Sequence, residues 1–208
     1  MPLKWRIAIA ALMGALFLPE FILQLADMEI LGTPELRFSV YSYGAFWPGL
    51  IASDWTSNYA LQPILMFFTY SFLHNGIPHL LGNLIALVWT ARRAPRYVSL
   101  RDFLILYAAG VACGALAHVV ITLTMRPVIG ASGGMYCLIT AWVFWIHLDT
   151  ANRLTRIMRI GAGLIALLSL NALSWWLSGG NLAWQAHVGG MVAGGMGVWA
   201  LKYIQRAR

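Results

Sequence analysis

The sequence predicts an all-α membrane protein: a bundle of six transmembrane helices with a long outer loop between the first and the second. Three observations carry this expectation. The 208 residues are 60% hydrophobic and only 10% charged, with a mean hydropathy of +0.71, whereas a soluble domain carries about 25% charged residues. The apolar residues gather into six stretches, most of them approaching the ~20 residues that a bilayer requires. The Lys and Arg residues fall in short segments between those stretches. The net charge of +7 therefore reads as loops obeying the positive-inside rule, not as a basic face for nucleic acid.

One domain, residues 1–208, holds spans at about 6–25, 78–91, 102–124, 131–148, 160–178 and 186–203. The first follows Lys4 and Arg6, as a signal peptide would. Its apolar run, however, reaches Leu25, is interrupted by Pro19 and Glu20, and lacks a small-residue cleavage site, which favours a retained helix. Residues 26–77 are expected to form a long structured loop. Its Trp and Tyr content, including Trp47 and Trp55, suits the outer membrane interface. The second span starts near Pro78, because proline is tolerated in the first helical turn and not in the interior. Cys113 and Cys137 both lie in apolar runs and read as small buried hydrophobes. Metal-binding motifs and phosphate loops are missing from the sequence, so neither a metal nor another cofactor is expected.

Orientation follows from the basic residues. Lys4 and Arg6, Arg92, Arg93, Arg96 and Arg101, Arg153, Arg156 and Arg159, and Lys202, Arg206 and Arg208 place twelve of fourteen on one side, leaving Arg37 and Arg126 on the other. Both termini are then cytoplasmic. Spans two, four and six all begin at the outer face. His79 and Asn83, Ser132, and His187 stand near those three beginnings, so four polar residues share a depth in the outer half of the membrane. Ionisable groups at that depth are costly and are functional candidates.

These residues suit peptide hydrolysis. A serine hydroxyl is a weak nucleophile until a neighbouring base takes its proton, and His187, neutral in low-dielectric surroundings, is a suitable base for Ser132. The oxyanion formed by attack needs donors already in place. The Ser132 N–H at a helix N-terminus is one. His79 and Asn83, four residues apart on one helix face, offer two more. Tyr136 shares the face of Ser132 and is placed to hold the His187 ring. Asp149 and Asp102 belong at the cytoplasmic end and nothing singles out Asp54, so a Ser–His dyad is the simpler arrangement. Gly189, Ala193 and Gly197 form one stripe of small residues on the last span and Gly190 and Gly194 another. Together with Gly133 and Gly134 they allow the close helix approach that a Ser132–His187 hydrogen bond requires. Taken singly, Ser132 is more often a packing residue and a lone histidine a structural one. His118 and His147 keep that structural reading; His74, close to the proposed site, is less clear.

His79-Leu80-Leu81-Gly82-Asn83, Gly130-Ala131-Ser132-Gly133 with Tyr136, and His187-Val188-Gly189-Gly190 resemble, in order and spacing, the rhomboid family of intramembrane serine proteases, over about residues 5–205. The resemblance implies a six-helix rhomboid-like bundle, Ser132 as nucleophile, His187 as general base, and His79 and Asn83 as oxyanion-hole contributors. It sets His74 at the edge of the active-site cavity. It implies transmembrane proteins as substrates, cleaved near the outer ends of their helices, with preference for small residues at the cleavage point, and no metal or nucleotide. One departure stands out: many members carry Trp-Arg shortly before the position of His74, where this chain reads Leu65-Met66-Phe67-Phe68-Thr69. Span five, with Trp175, Trp176 and Ser178-Gly179-Gly180 at its outer end, is the expected substrate gate. With no transit peptide and no sizeable soluble domain, a minimal form in a bacterial plasma membrane is expected. Two alternatives stand beside the protease. A catalytically silent relative that binds membrane clients is disfavoured by the presence of both serine and base. A small transporter would call for broken helices or mid-span acids, which are not apparent.

Overall fold

A computed structural model describes residues 1–122 and 125–206, with the side chains of 205 and 206 excepted. Residues 123–124 of the third expected span, and Arg208, lie outside the described residues. Among the described residues the chain forms nine α-helices and two short 3-10 turns, with no strands. The helices are α1 (Leu3–Asp27), α2 (Glu35–Gly44), α3 (Gly49–Ala52), α4 (Gln62–Thr69), α5 (Ile77–Arg93), α6 (Leu100–Ile121), α7 (Ser132–His147), α8 (Arg153–Leu177) and α9 (Trp184–Arg206).

Each expected span coincides with one long helix. Three of these, α1, α6 and α8, are long and apolar enough to cross a membrane by length and composition. Local chemistry sets the boundaries. Helix α5 begins behind Gly76, at φ +87°, with Pro78 in its first turn. Helix α6 begins at Ser99, whose Oγ accepts from the Asp102 N–H, an N-cap bond of the usual kind. Helix α8 starts seven residues before the expected 160, because Asn152 caps it by accepting from the Thr155 N–H. Arg153, Arg156 and Arg159 therefore ride on its first turns. Arginine is a good helix former, so an apolar window underestimates this helix.

The 26–77 segment differs from a loop in the ordinary sense. It carries α2, α3, α4 and a 3-10 turn at Tyr70–Phe72. Some of its hydrogen bonds are internal and others reach the bundle. Phe46 and Val128 exchange a pair of backbone hydrogen bonds, the Gly130 N–H donates to the Tyr70 carbonyl, and the Tyr70 hydroxyl donates to the Val111 carbonyl at 2.8 Å. The segment thus clips the stretch that leads into α7 against α6.

Helices α6, α7 and α9 form the centre and make the most extensive mutual contacts. Glycines permit this. A β-carbon at Gly190 would lie 2.1 Å from the Gly133 carbonyl oxygen, and one at Gly194 would lie 2.3 Å from that of Cys137, so one stripe of α9 faces α7. Gly189 faces Cys113 and Ala117, and Gly197 faces Leu106, so the other stripe faces α6. Both cysteines are unpaired. Helix α1 packs on α5, while α8 packs mainly on the outside of α7 and α9 and buries just Leu167 and Asn171.

Candidate active site

Ser132 opens α7 and His187 lies in the first turn of α9. The backbone contact at Gly133 and Gly190, one residue after Ser132 and three after His187, brings the two side chains together. His187 Nε2 stands 2.7 Å from Ser132 Oγ. Tyr136, one turn along α7, stacks on the His187 ring with centroids 4.2 Å apart and planes 11° from parallel. His187 is buried, at 5% exposure.

Gly130 has φ +114°, and a β-carbon there would lie 2.6 Å from the His79 ring. Two requirements therefore meet at this glycine: a left-handed backbone and room for His79 beside the residues that lead into α7. The Asn75 N–H donates to His79 Nδ1 at 3.3 Å, so in the neutral ring the proton sits on Nε2. Asn83 is buried, and its amide donates to the His79 carbonyl at 3.0 Å. Ser132 and His79 line a cavity of about 600 Å³ together with Tyr41, Asn75 and Asn181; Asn83 is not part of that lining. His74 packs edge-on against His79 at 5.1 Å. Burial, with the neighbouring His79 second, lowers its pKa to about 4.

His147 lies at the opposite end of α7 from Ser132, and His118, in the last turn of α6, lines a neighbouring cavity with Trp184 and Gln185. Asp149 pairs with Lys202 at 3.3 Å, beside Arg96, at the opposite end of α7 from Ser132. Arg126 donates to Asn181 on the rim of the Ser132 cavity.

Three residues beyond the sequence expectation complete the surroundings. Asn171 of α8 places Oδ1 2.7 Å from His187 Nδ1. Glu20, fully buried in α1, accepts from Arg37 Nη1 and Nη2 at 3.0 and 3.1 Å and from the Gly76 N–H at 3.0 Å. Arg37 also donates to Asp27, the Tyr41 hydroxyl and the His74 carbonyl. Burial opposes the guanidinium charge, but the Asp27 and Glu20 carboxylates outweigh it and raise the Arg37 pKa above its ordinary value. The sequence signals were an amide inside an apolar run, a carboxylate interrupting another, and one of only two arginines on the sparsely charged side. Through the His74 carbonyl and through Glu20, which accepts from the Gly76 N–H, Arg37 ties α2 and α1 to the turn that precedes α5.

A serine is thus joined to a histidine across two closely packed helix ends, beside a cavity of mixed polar and apolar lining. A family model described as the Rhomboid domain matches residues 62–204, and the chain belongs to the rhomboid family of integral membrane proteins. It is 28% identical over 180 residues to "Rhomboid protease GluP" of Bacillus subtilis (strain 168), covering 86% of this chain and 32% of that protein. It is 30% identical over 152 residues to "Rhomboid-related protein 3" of Homo sapiens, covering 67% of this chain and 37% of that protein. The matched regions span about a third of the length of these curated relatives.

Proposed function

We propose that this chain is an intramembrane serine endopeptidase that hydrolyses peptide bonds in or near the transmembrane helices of other membrane proteins. The observation that carries the reading is the 2.7 Å approach of His187 Nε2 to Ser132 Oγ. In the proposed mechanism, Ser132 Oγ attacks the scissile carbonyl carbon as its proton passes to Nε2. The oxyanion is met by the Ser132 N–H at the start of α7 and by His79 Nε2–H, donors fixed before reaction. One Asn83 N–H is committed to the His79 carbonyl, leaving the other to assist. The C–N bond breaks, Nε2–H protonates the leaving amine, and water from the cavity repeats the sequence on the acyl-enzyme. Tyr136 keeps the base in plane, and His74, buried and outside the cavity lining, packs behind His79 and supports its ring. Gly130 and Gly133 provide the close approaches.

All six long helices span the membrane in this reading, with both termini and the basic segments cytoplasmic. Helices α5 and α7 have 17 and 16 residues, or about 24–26 Å at 1.5 Å per residue, shorter than a hydrocarbon core of ~30 Å. Anchored at their basic ends, they leave His79 and Ser132 several ångströms below the outer surface, with the cavity as the path for water. A silent client-binding relative is the weaker reading, since serine and base are both present and bonded. The test is co-reconstitution in liposomes with a single-span protein carrying alanine and glycine near its outer end. A discrete product absent with Ser132→Ala is expected. An intact substrate across a panel of such spans contradicts the proposal.

A further inference from the structure

Resting on the serine protease reading, we infer that Asn171 is a third, positioning member of the site: it selects the catalytic tautomer of His187 and orients the ring, making the unit Ser132–His187–Asn171. The expected arrangement was a dyad, and no carboxylate stands behind the base. An amide does.

The geometry fixes the direction of every hydrogen bond in the chain. The far end is the Trp184 backbone carbonyl, which can only accept. Asn171 Nδ2 lies 3.2 Å from it and must donate, so the amide presents Oδ1 to His187. That oxygen can only accept, so at 2.7 Å the proton is on His187 Nδ1. In the neutral ring Nε2 then carries the lone pair, facing the Ser132 hydroxyl at 2.7 Å. The opposite tautomer would leave two lone pairs facing one another at Nδ1, inside a site where Asn171 and His187 are 4% and 5% exposed. Burial of such an unpaired contact is expensive. Tyr136 holds the plane of the ring, and Asn171 fixes its rotation within that plane.

An amide differs from a carboxylate here in one measurable way. It accepts the Nδ1–H of both imidazole and imidazolium but adds no negative charge, so the base gains orientation without a large rise in basicity. Asn171 also belongs to α8, of which only Leu167 and Asn171 are buried. The base is therefore oriented only while α8 is seated against α9. Withdrawal of α8 to admit a substrate helix removes the acceptor, and its return restores it.

The test combines two readouts in lipid bilayers. The first is the tautomer of His187 by nitrogen-15 solid-state NMR, assigned with His187→Gln. The second is the pH dependence of fluorophosphonate labelling at Ser132. The protein should show Nδ1–H. Asn171→Leu should give mixed tautomers and labelling slowed by at least tenfold; soluble triads that lose their orienting carboxylate set a ceiling on the order of 10⁴-fold. Asn171→Asp keeps the acceptor and adds charge, so it should retain labelling with its acid limb shifted to higher pH by about one unit or more. A merely structural tie between α8 and α9 would leave both tautomer and pH profile unmoved. Unchanged tautomer and unchanged profile in Asn171→Leu overturn the inference; if that variant does not fold, an unshifted profile in Asn171→Asp does so. A wild type that shows the Nδ1–H tautomer, lost in Asn171→Leu, yet never labels would sink the protease reading while leaving the tautomer assignment standing.

Discussion

The two sides of the Ser132 cavity are built differently. On one side, α1 and the 26–77 segment are bound to the start of α5 by a buried polar network: Glu20 and Arg37 reach the Gly76 N–H and the His74 carbonyl, and Phe46 and Tyr70 hold the approach to Ser132. On the other side the cavity is lined by the turn that follows α8, with Ser178, Asn181 and Leu182, and α8 itself buries two residues and leaves Trp175 and Trp176 exposed. In the proposed protease the oxyanion donors and the nucleophile must not move, and a pinned wall suits that role. A substrate of the proposed protease enters laterally from lipid, which needs a wall able to yield, and α8 buries only two of its 25 residues. This is the physical basis for proposing α8 as the gate.

The largest expected effect is on the pinned wall. Arg37→Leu leaves the Glu20 carboxylate buried without its cation, a change that costs about 3–5 kcal/mol, and thermal unfolding in detergent should show a large fall in Tm. The double variant Glu20→Gln with Arg37→Leu should recover much of the loss, because the two residues act as a unit. Equal losses in the single and double variants would mean that the network does not pin this wall.

The next effect concerns pH. The His74 pKa falls from the ordinary 6.5 to about 4 in the folded protein. Between those values the unfolded chain binds a proton that the folded chain does not, so stability is full above pH 6.5 and declines as pH falls toward 4. The contribution is on the order of 3 kcal/mol at most, by 1.36 kcal/mol per unit. His74→Leu should flatten the stability profile across that window. A profile parallel to the wild type's would contradict the placement of a neutral, buried ring.

The smallest stability effect is expected on α8. Trp176→Ala, on an exposed face, should change stability by no more than about 0.5 kcal/mol. It should nonetheless alter cleavage of a membrane-embedded substrate more than labelling by a small fluorophosphonate. Equal changes in both would remove the distinction between the two walls.

Much of this was legible in the sequence. The six long helices follow from apolar runs and, for α5, from Pro78 in the first turn. The Ser132–His187 pairing follows from small residues at matching helix ends. The start of α8 was missed because its arginines break the apolar pattern without breaking the helix. Asn171 was missed because its partner lies 16 residues away across a turn, and only the packing of α8 on α9 determines which face the amide presents. Glu20 read as an interruption because its charge is answered from α2, and no sequence periodicity links the two.

The proposed protease stands on an activated Ser132 with His187 as its base. Fluorophosphonate labelling of the purified protein, beside Ser132→Ala and His187→Ala, tests it without any knowledge of the substrate. Labelling of the wild type that disappears in both variants is the predicted result. Labelling that survives Ser132→Ala, or a correctly folded wild type that never labels, would contradict it.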